Sequence, residues 1–155
     1  MNLSKNNYVF TVQQSLPATR EILNSNTFYK SSLARVITTK YFIGQVNDTD
    51  FKIIGSSAKS PACVLSGKLI PLDEYTTLVE IDTSLHKAFR ILFVVWVAFV
   101  ALAMIIPAFV HFNLRQLLLG ITGAAVGAIV FRAMLHLFYI RARNRSIRNI
   151  ESILQ

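Results

Sequence analysis

The chain has 155 residues, 53% of them hydrophobic and only 15% charged, with a formal net charge of +8. Residues 1–86 hold eight Lys and Arg against seven acids, while residues 87–155 hold eight against one, Glu151. Charge that flanks apolar runs is juxtamembrane charge, which excludes the excess as a sign of nucleic-acid binding.

The first stretch, Met1 to Asn7, is polar and leads into no apolar run, so no cleaved signal peptide is expected. Tyr8, Phe10 and Val12 alternate with polar neighbours and predict a strand. Ser15 to Leu23 predicts a short helix, with Ser15 as its cap, Pro17 in its first turn and Asn24-Ser25-Asn26 as its end. Val36 to Val46 is β-branched and aromatic, Asn47-Asp48-Thr49-Asp50 is turn chemistry, and Phe51 to Ile54 is extended again, which predicts a hairpin. Cys63–Ile70 and Thr76–Asp82 predict a second pair around Pro71-Leu72-Asp73-Glu74. The order β-α-β-β-β-β implies an α+β domain over 1–86: a small antiparallel sheet with one short helix packed on it.

This domain offers little chemistry. Asp48 and Asp50 lack the further ligands and the glycine of a calcium loop, so they read as turn residues. Cys63 is the single cysteine, which excludes an intrachain disulfide and a cysteine-based zinc site; on a strand it reads as a small core residue. His86 is the domain's one histidine and the one base available to Cys63, but its place beside Lys87 suggests the water–lipid boundary. The chain holds no phosphate-binding glycine loop, His-x-x-x-His pair or nucleophile elbow. No cofactor, no metal and no catalytic residue is expected, and the protein reads as a non-enzyme.

Residues 87–140 predict a transmembrane hairpin. No Asp, Glu, Lys or Arg occurs from Ile91 to Phe112. A span over about 88–110 reaches roughly 35 Å at helical rise, against a hydrocarbon core of about 30 Å. Pro107 is expected to kink its far end. The second span, about 114–140, contains one charge, Arg132, which can snorkel. The short connection around Asn113 makes the two helices antiparallel neighbours. Lys87, Arg90, Arg141, Arg143, Arg145 and Arg148 flank the outer ends and only Arg115 lies near the turn, which places both termini in the cytoplasm.

Gly120, Gly123, Ala124, Gly127 and Ala128 recur at helical spacing in the second span. Such residues let backbones approach, either against the first span or against a second copy. Matching depths about Asn113 sets Arg90 level with His136 and Arg132 near Val94 and Trp96. Lys87, Arg90, Arg132 and His136 then form a basic cluster in the inner leaflet, which either snorkels to phosphates or holds an anionic lipid or ligand. Residues 141–155 predict a basic amphipathic tail helix, with Ile147, Ile150 and Leu154 on one stripe and Arg141, Arg145 and Arg148 on another side. Such a helix lies on the inner leaflet or docks on the polar domain.

Phe42-x-Gly44, Phe51-x-Ile53, Pro61, Gly67-x-Leu69 and Thr77-x-Val79-x-Ile81, followed by two apolar spans, resemble a loose group of small bacterial membrane proteins of uncharacterised function. The resemblance covers roughly residues 40–110. It implies a bacterial source and an anchored β-rich domain, and it implies no activity; together with the spans, the location expected is the bacterial inner membrane. The function expected is that of a non-enzymatic, membrane-anchored binding or sensor module whose partners include anionic inner-leaflet lipids. An oligomerising membrane-active effector, possibly of a defence type, and an accessory subunit of a membrane complex are the alternatives.

Overall fold

A computed structural model of the protein describes residues 6–34, 36–56, 62–111 and 114–155. Among these residues there are six strands in one sheet and three helices. The strands are β1 (Asn6–Val12), β2 (Thr27–Tyr29), β3 (Phe42–Val46), β4 (Asp50–Gly55), β5 (Cys63–Asp73) and β6 (Thr76–Leu85). The helices are α1 (Leu16–Ser25), α2 (Lys87–His111) and α3 (Leu114–Leu154). The chain divides into two compact units: residues through His86 together with Tyr139–Gln155, and Lys87–Phe138.

In the first unit the strand order is β1-β6-β5-β4-β3-β2. Strands β3 to β6 follow one another as antiparallel neighbours, and β1 joins β6 antiparallel. The sheet is not wholly antiparallel as expected, because β2 pairs with β3 in parallel. The reason is the helix between β1 and β2. A strand that leaves one sheet edge and crosses through a helix arrives at the other edge running in its original direction. Strand β2 has only three residues and no alternating run, so its sequence carries no signal.

Two further expectations need correction. The strand expected over 36–46 begins only at Phe42; before it, Leu33 and Val36 cover Ile43, Ile54 and Val64 on one face of the sheet. Burial of those side chains outweighed their extended-strand preference. Ser15 does precede α1 with an extended backbone, yet its side chain makes no capping hydrogen bond. Helix α1 ends as read, with Asn26 Nδ2 donating to Ile22 O at 2.9 Å.

The other sheet face holds the main core. Thr77, Val79, Ile81, Thr83 and Leu85 alternate inward along β6, opposite Leu69, Gly67, Leu65 and Cys63 of β5. Gly67 is required there: a Cβ would sit 2.3 Å from Cζ of the buried Phe51 and 2.6 Å from Glu80 O. Two helical pieces cover this face. At one end of β6, Thr77 Oγ1 donates to Gln14 O, just before α1, at 2.8 Å. At the other end, the Thr83 and Tyr139 hydroxyls meet at 2.8 Å.

The second unit contains α2 and the first part of α3, each long and apolar enough to cross a membrane. Helix α2 continues through Pro107 to His111. The turn expected around Asn113 lies outside the described residues. The helices meet as antiparallel neighbours: Trp96 stacks on Phe131 at 4.8 Å between ring centroids, Phe93 stacks on Phe131 at 5.9 Å, and Gly120 lies against Met104. Most remaining apolar side chains point outward, among them Val94, Phe99, Leu119 and Ile129. Helix α3 runs unbroken to Leu154, so the basic tail helix continues the second span and forms its last four turns.

Candidate functional site

The tail part of α3 is the least anticipated element. Tyr139, Ala142, Ser146, Ile150 and Leu154 are all buried, at spacings of three and four residues that make one helical stripe. This stripe faces the sheet of its own unit. The leaflet-lying tail is therefore set aside in favour of the docked one. The expected stripe was displaced by one helical row: Ile150 and Leu154 belong to it, while Ile147 is only half-buried at its edge. Ala142 and Ser146 supply the reason. Both are fully buried on this row, and apolar periodicity gives small and polar residues little weight. Ser146 Oγ is buried without a hydrogen-bond partner among the described residues. Glu151 fixes the far end, accepting the Tyr8 hydroxyl at 2.5 Å. The carboxylate beside it raises the Tyr8 pKa.

Between β1 and this helix lies an open groove of about 630 Å³, lined by Asn7, Tyr8, Thr83, Arg143, Asn144, Ile147 and Arg148. Two positive charges and no carboxylate line it. Of the acids nearby, Glu151 accepts the Tyr8 hydroxyl, Glu80 accepts Asn7 Nδ2 at 2.9 Å, and Asp82 stands opposite Asn7 in the β1–β6 register. Asn144 organises the two arginines. Its side-chain oxygen accepts Arg143 Nε at 3.2 Å and Nη2 at 3.0 Å, and its carbonyl accepts Arg148 Nε at 3.3 Å. Both guanidinium groups are thus held from the same turn of helix. The arrangement can bind an anion through charge-assisted hydrogen bonds. It contains no nucleophile–base pair.

Cys63 lies in the core behind this region and is fully buried. Burial pushes its thiol up to about 12, against the smaller opposing pull of the Arg143 charge. It is protonated and shielded at neutral pH, as a core residue should be. His86, read as interfacial, instead ties the sheet unit together: its Nε2 donates to Leu33 O at 3.0 Å and its backbone N to Ala62 O at 2.9 Å. Asp48 pairs with Arg20 of α1 at 2.9 Å, and Asp50 accepts Asn47 Nδ2 at 3.0 Å.

The basic residues singled out in the sequence are divided between the two units. Arg148 lines the groove, whereas Arg141 and Arg145 are exposed elsewhere on the tail. Lys87, Arg90, Arg132 and His136 belong to the helical unit and are exposed there. Of the small residues, Gly120, Ala124, Gly127 and Ala128 are half-buried, with Gly127 3.2 Å from Trp96 by its would-be Cβ. Gly123 faces open space. The residue missed was Arg143, the one half-buried arginine of the tail. Its signal was present: Arg143 lies four and seven residues before Ile147 and Ile150, so it borders their stripe rather than the opposite side.

Comparison of the chain with protein-family models, with curated proteins and with solved structures finds no match.

Proposed function

We propose that this protein is a membrane-anchored binding module in which a transmembrane hairpin is inserted into the folded domain that it anchors. One observation carries the reading. The compact sheet unit includes both β6, which runs into α2 after His86 alone, and the last turns of α3. A domain that holds both ends of a hairpin sits on one side of the membrane, and the hairpin enters and leaves from that side. Lys87, Arg90 and the four tail arginines flank those two ends, against Arg115 near the turn, which supports a cytoplasmic domain. Both connections are continuous backbone with no flexible linker, so displacement of either helix would strain the contact between β6 and the tail. This coupling suits a sensor. The groove beside Thr83, at that contact, suits a ligand.

Thiol labelling in intact cells tests the arrangement. In a Cys63→Ala background, Asp73→Cys on the β5–β6 turn and Leu114→Cys at the start of α3 are exposed reporters. A membrane-impermeant maleimide is expected to label Leu114→Cys in intact cells and Asp73→Cys only after permeabilisation. Labelling of both from outside, or of Asp73→Cys alone, overturns the reading.

Gly123 favours a second reading, that of an oligomerising effector, because a glycine with no neighbour leaves a notch on the outward face of α3. Gly123→Leu should then abolish a detergent-stable oligomer. A wild-type monomer at every concentration tested sinks this alternative.

A further inference from the structure

We infer that the β2–β3 connection, residues 30–41, is a lipid-contacting surface of the sheet unit: it lays Ile37 and Tyr41 into the headgroup boundary of an anionic leaflet, with Lys40 beside them on the lipid phosphates. This rests on the membrane-anchored reading above and adds to it a contact made by the sheet unit itself.

The case begins with strand register. Leu85 stands opposite Cys63, Val64 opposite Ile54, Gly55 opposite Phe42, and Phe42 opposite Thr27. Leu85 is the last residue of β6, and only His86 separates it from Lys87 at the start of α2. Tyr41, just before Phe42, therefore stands at the end of the sheet from which the chain enters its first span. The connection is tied to the same point, because His86 Nε2 donates to Leu33 O at 3.0 Å.

Charge separates the two ends of the sheet. Four of the seven acids of residues 1–86 stand at the opposite end, Asp48 and Asp50 at the β3–β4 turn and Asp73 and Glu74 at the β5–β6 turn. Between Glu21 and Asp48 the sequence holds Lys30, Arg35 and Lys40 and no acid. An anionic leaflet attracts the second pattern and repels the first.

Apolar exposure then selects within the connection. Leu33 and Val36 pack on the sheet, whereas Ile37 is 98% exposed and Tyr41 52% exposed. The far β5–β6 turn also exposes Leu72 and Tyr75, but beside Asp73 and Glu74, which hold it in water. A tyrosine with an aliphatic neighbour and a lysine is interfacial chemistry: the ring and the aliphatic chain enter the boundary, and the hydroxyl and the ammonium stay at the phosphates. The backbone is held ready for it. Ser56 N and Oγ both donate to Tyr41 O at 3.0 Å, Phe42 N donates to Asn26 O at 3.2 Å, and Lys40 Nζ donates to Ser25 O. A connection fixed in this way loses little freedom on reaching a surface. Its depth is limited, since irregular backbone is not tolerated in contact with the hydrocarbon core.

The test uses the full chain in vesicles of phosphatidylcholine, with or without phosphatidylglycerol. Cysteine reporters in a Cys63→Ala background carry an environment-sensitive fluorophore. Lipids bearing a nitroxide high on the acyl chain, or at its end, serve as quenchers. Thr39→Cys, exposed between Ile37 and Lys40, reports the connection; Asp73→Cys reports the far turn. In the anionic vesicles the high nitroxide is expected to quench residue 39 at least about twofold more than residue 73. The chain-end nitroxide should quench neither. Ile37→Ser should return residue 39 to the level of residue 73, and Ile37→Leu should restore the contact. Lys40→Gln should lower the ratio of inserted to aqueous connection about fivefold in anionic vesicles and leave it unchanged in phosphatidylcholine alone.

Equal quenching at residues 39 and 73 overturns the inference, as does quenching at residue 39 that Ile37→Ser leaves intact. Phe99→Cys, exposed on α2, reports the anchor separately and should be quenched by the chain-end nitroxide. Quenching there with none at residue 39 keeps the anchor and removes the lipid contact of the sheet unit. Quenching at residue 39 with none at Phe99→Cys removes the anchor and keeps that contact.

Discussion

The two units of this protein are built on opposite solvation logic. In the sheet unit the large apolar side chains turn inward: Phe42, Phe51, Ile53, Leu65 and Ile81 are all within 1% of full burial. In the helical unit they turn outward, and Val94, Phe99, Ile129 and Val130 each expose more than 60% of their surface. Water drives the first arrangement by expelling apolar area. It would oppose the second, which suits a hydrocarbon surround. Glycines show the same division. Gly44 (φ +151°) and Gly67 occupy places that no side chain fits, whereas Gly123 faces empty space. Close packing is therefore a condition of the sheet unit and only a local feature of the helical one, confined to the seam of Trp96, Phe131, Gly120 and Gly127. The tail of α3 crosses this divide. It continues an apolar helix yet packs by the rules of the sheet.

The sharpest way to break this comparison is through that tail. If it is core, Ile150→Ala and Leu154→Ala should each destabilise the sheet unit by about 2–5 kcal/mol, comparable together with the stability of a whole domain. Cys63 should then react with maleimide at ambient temperature while the α2–α3 hairpin stays in the membrane fraction. A tail lying on a leaflet would leave Cys63 protected. Next in size is the glycine contrast. Gly67→Ala must displace Phe51 or the β6 backbone, and should destabilise by about 1–3 kcal/mol, measured by denaturation monitored through Cys63. Gly123→Ala should change neither stability nor expression.

The Cys63 thiol supplies a pH-dependent test. Its pKa is raised in the folded protein to about 12, from 9.0 when unperturbed. The unfolded chain therefore loses this proton first, and the stabilisation is intact below pH 9 and lost progressively as pH rises toward 12. Wild type should lose roughly 1.4 kcal/mol per pH unit relative to Cys63→Ala across that window. Equal pH profiles for the two proteins would mean that Cys63 is solvated. The smallest effect runs the other way. Ser146→Ala removes a buried hydroxyl that lacks a partner, and should be neutral or stabilising by up to about 1 kcal/mol in thermal unfolding.

Much of this was legible residue by residue. The apolar runs, their antiparallel pairing and the meander from β3 to β6 follow from periodicity and turn chemistry, which are local in sequence. The parallel edge strand β2 was not, because three residues carry no period and its partner β3 is reached through twelve intervening residues. Val36 was read as strand because β-branched residues favour extended structure wherever they stand, yet its actual role is to cover Ile43, Ile54 and Val64 from outside the sheet. At the candidate site only Arg148 of the lining was marked in advance. Arg143 was passed over beside more conspicuous arginines, and Asn7, Tyr8 and Thr83 join it from strands that are distant in sequence.

The sequence by itself determined which segments are too apolar to face water and where charge accumulates, because hydrophobicity and charge belong to residues one at a time. It also determined that the chain is a mixed α and β protein with two long apolar helices. Only the tertiary structure decided where the end of α3 lies. An amphipathic stripe states that one face must be covered without stating by what, and both a leaflet and a sheet would serve. The choice was made by fit: Ala142 and Ser146 are buried on the row that carries Tyr139, and Tyr139 reaches the Thr83 hydroxyl. That approach also creates the groove, which therefore exists in no segment of the sequence but in the meeting of its two ends.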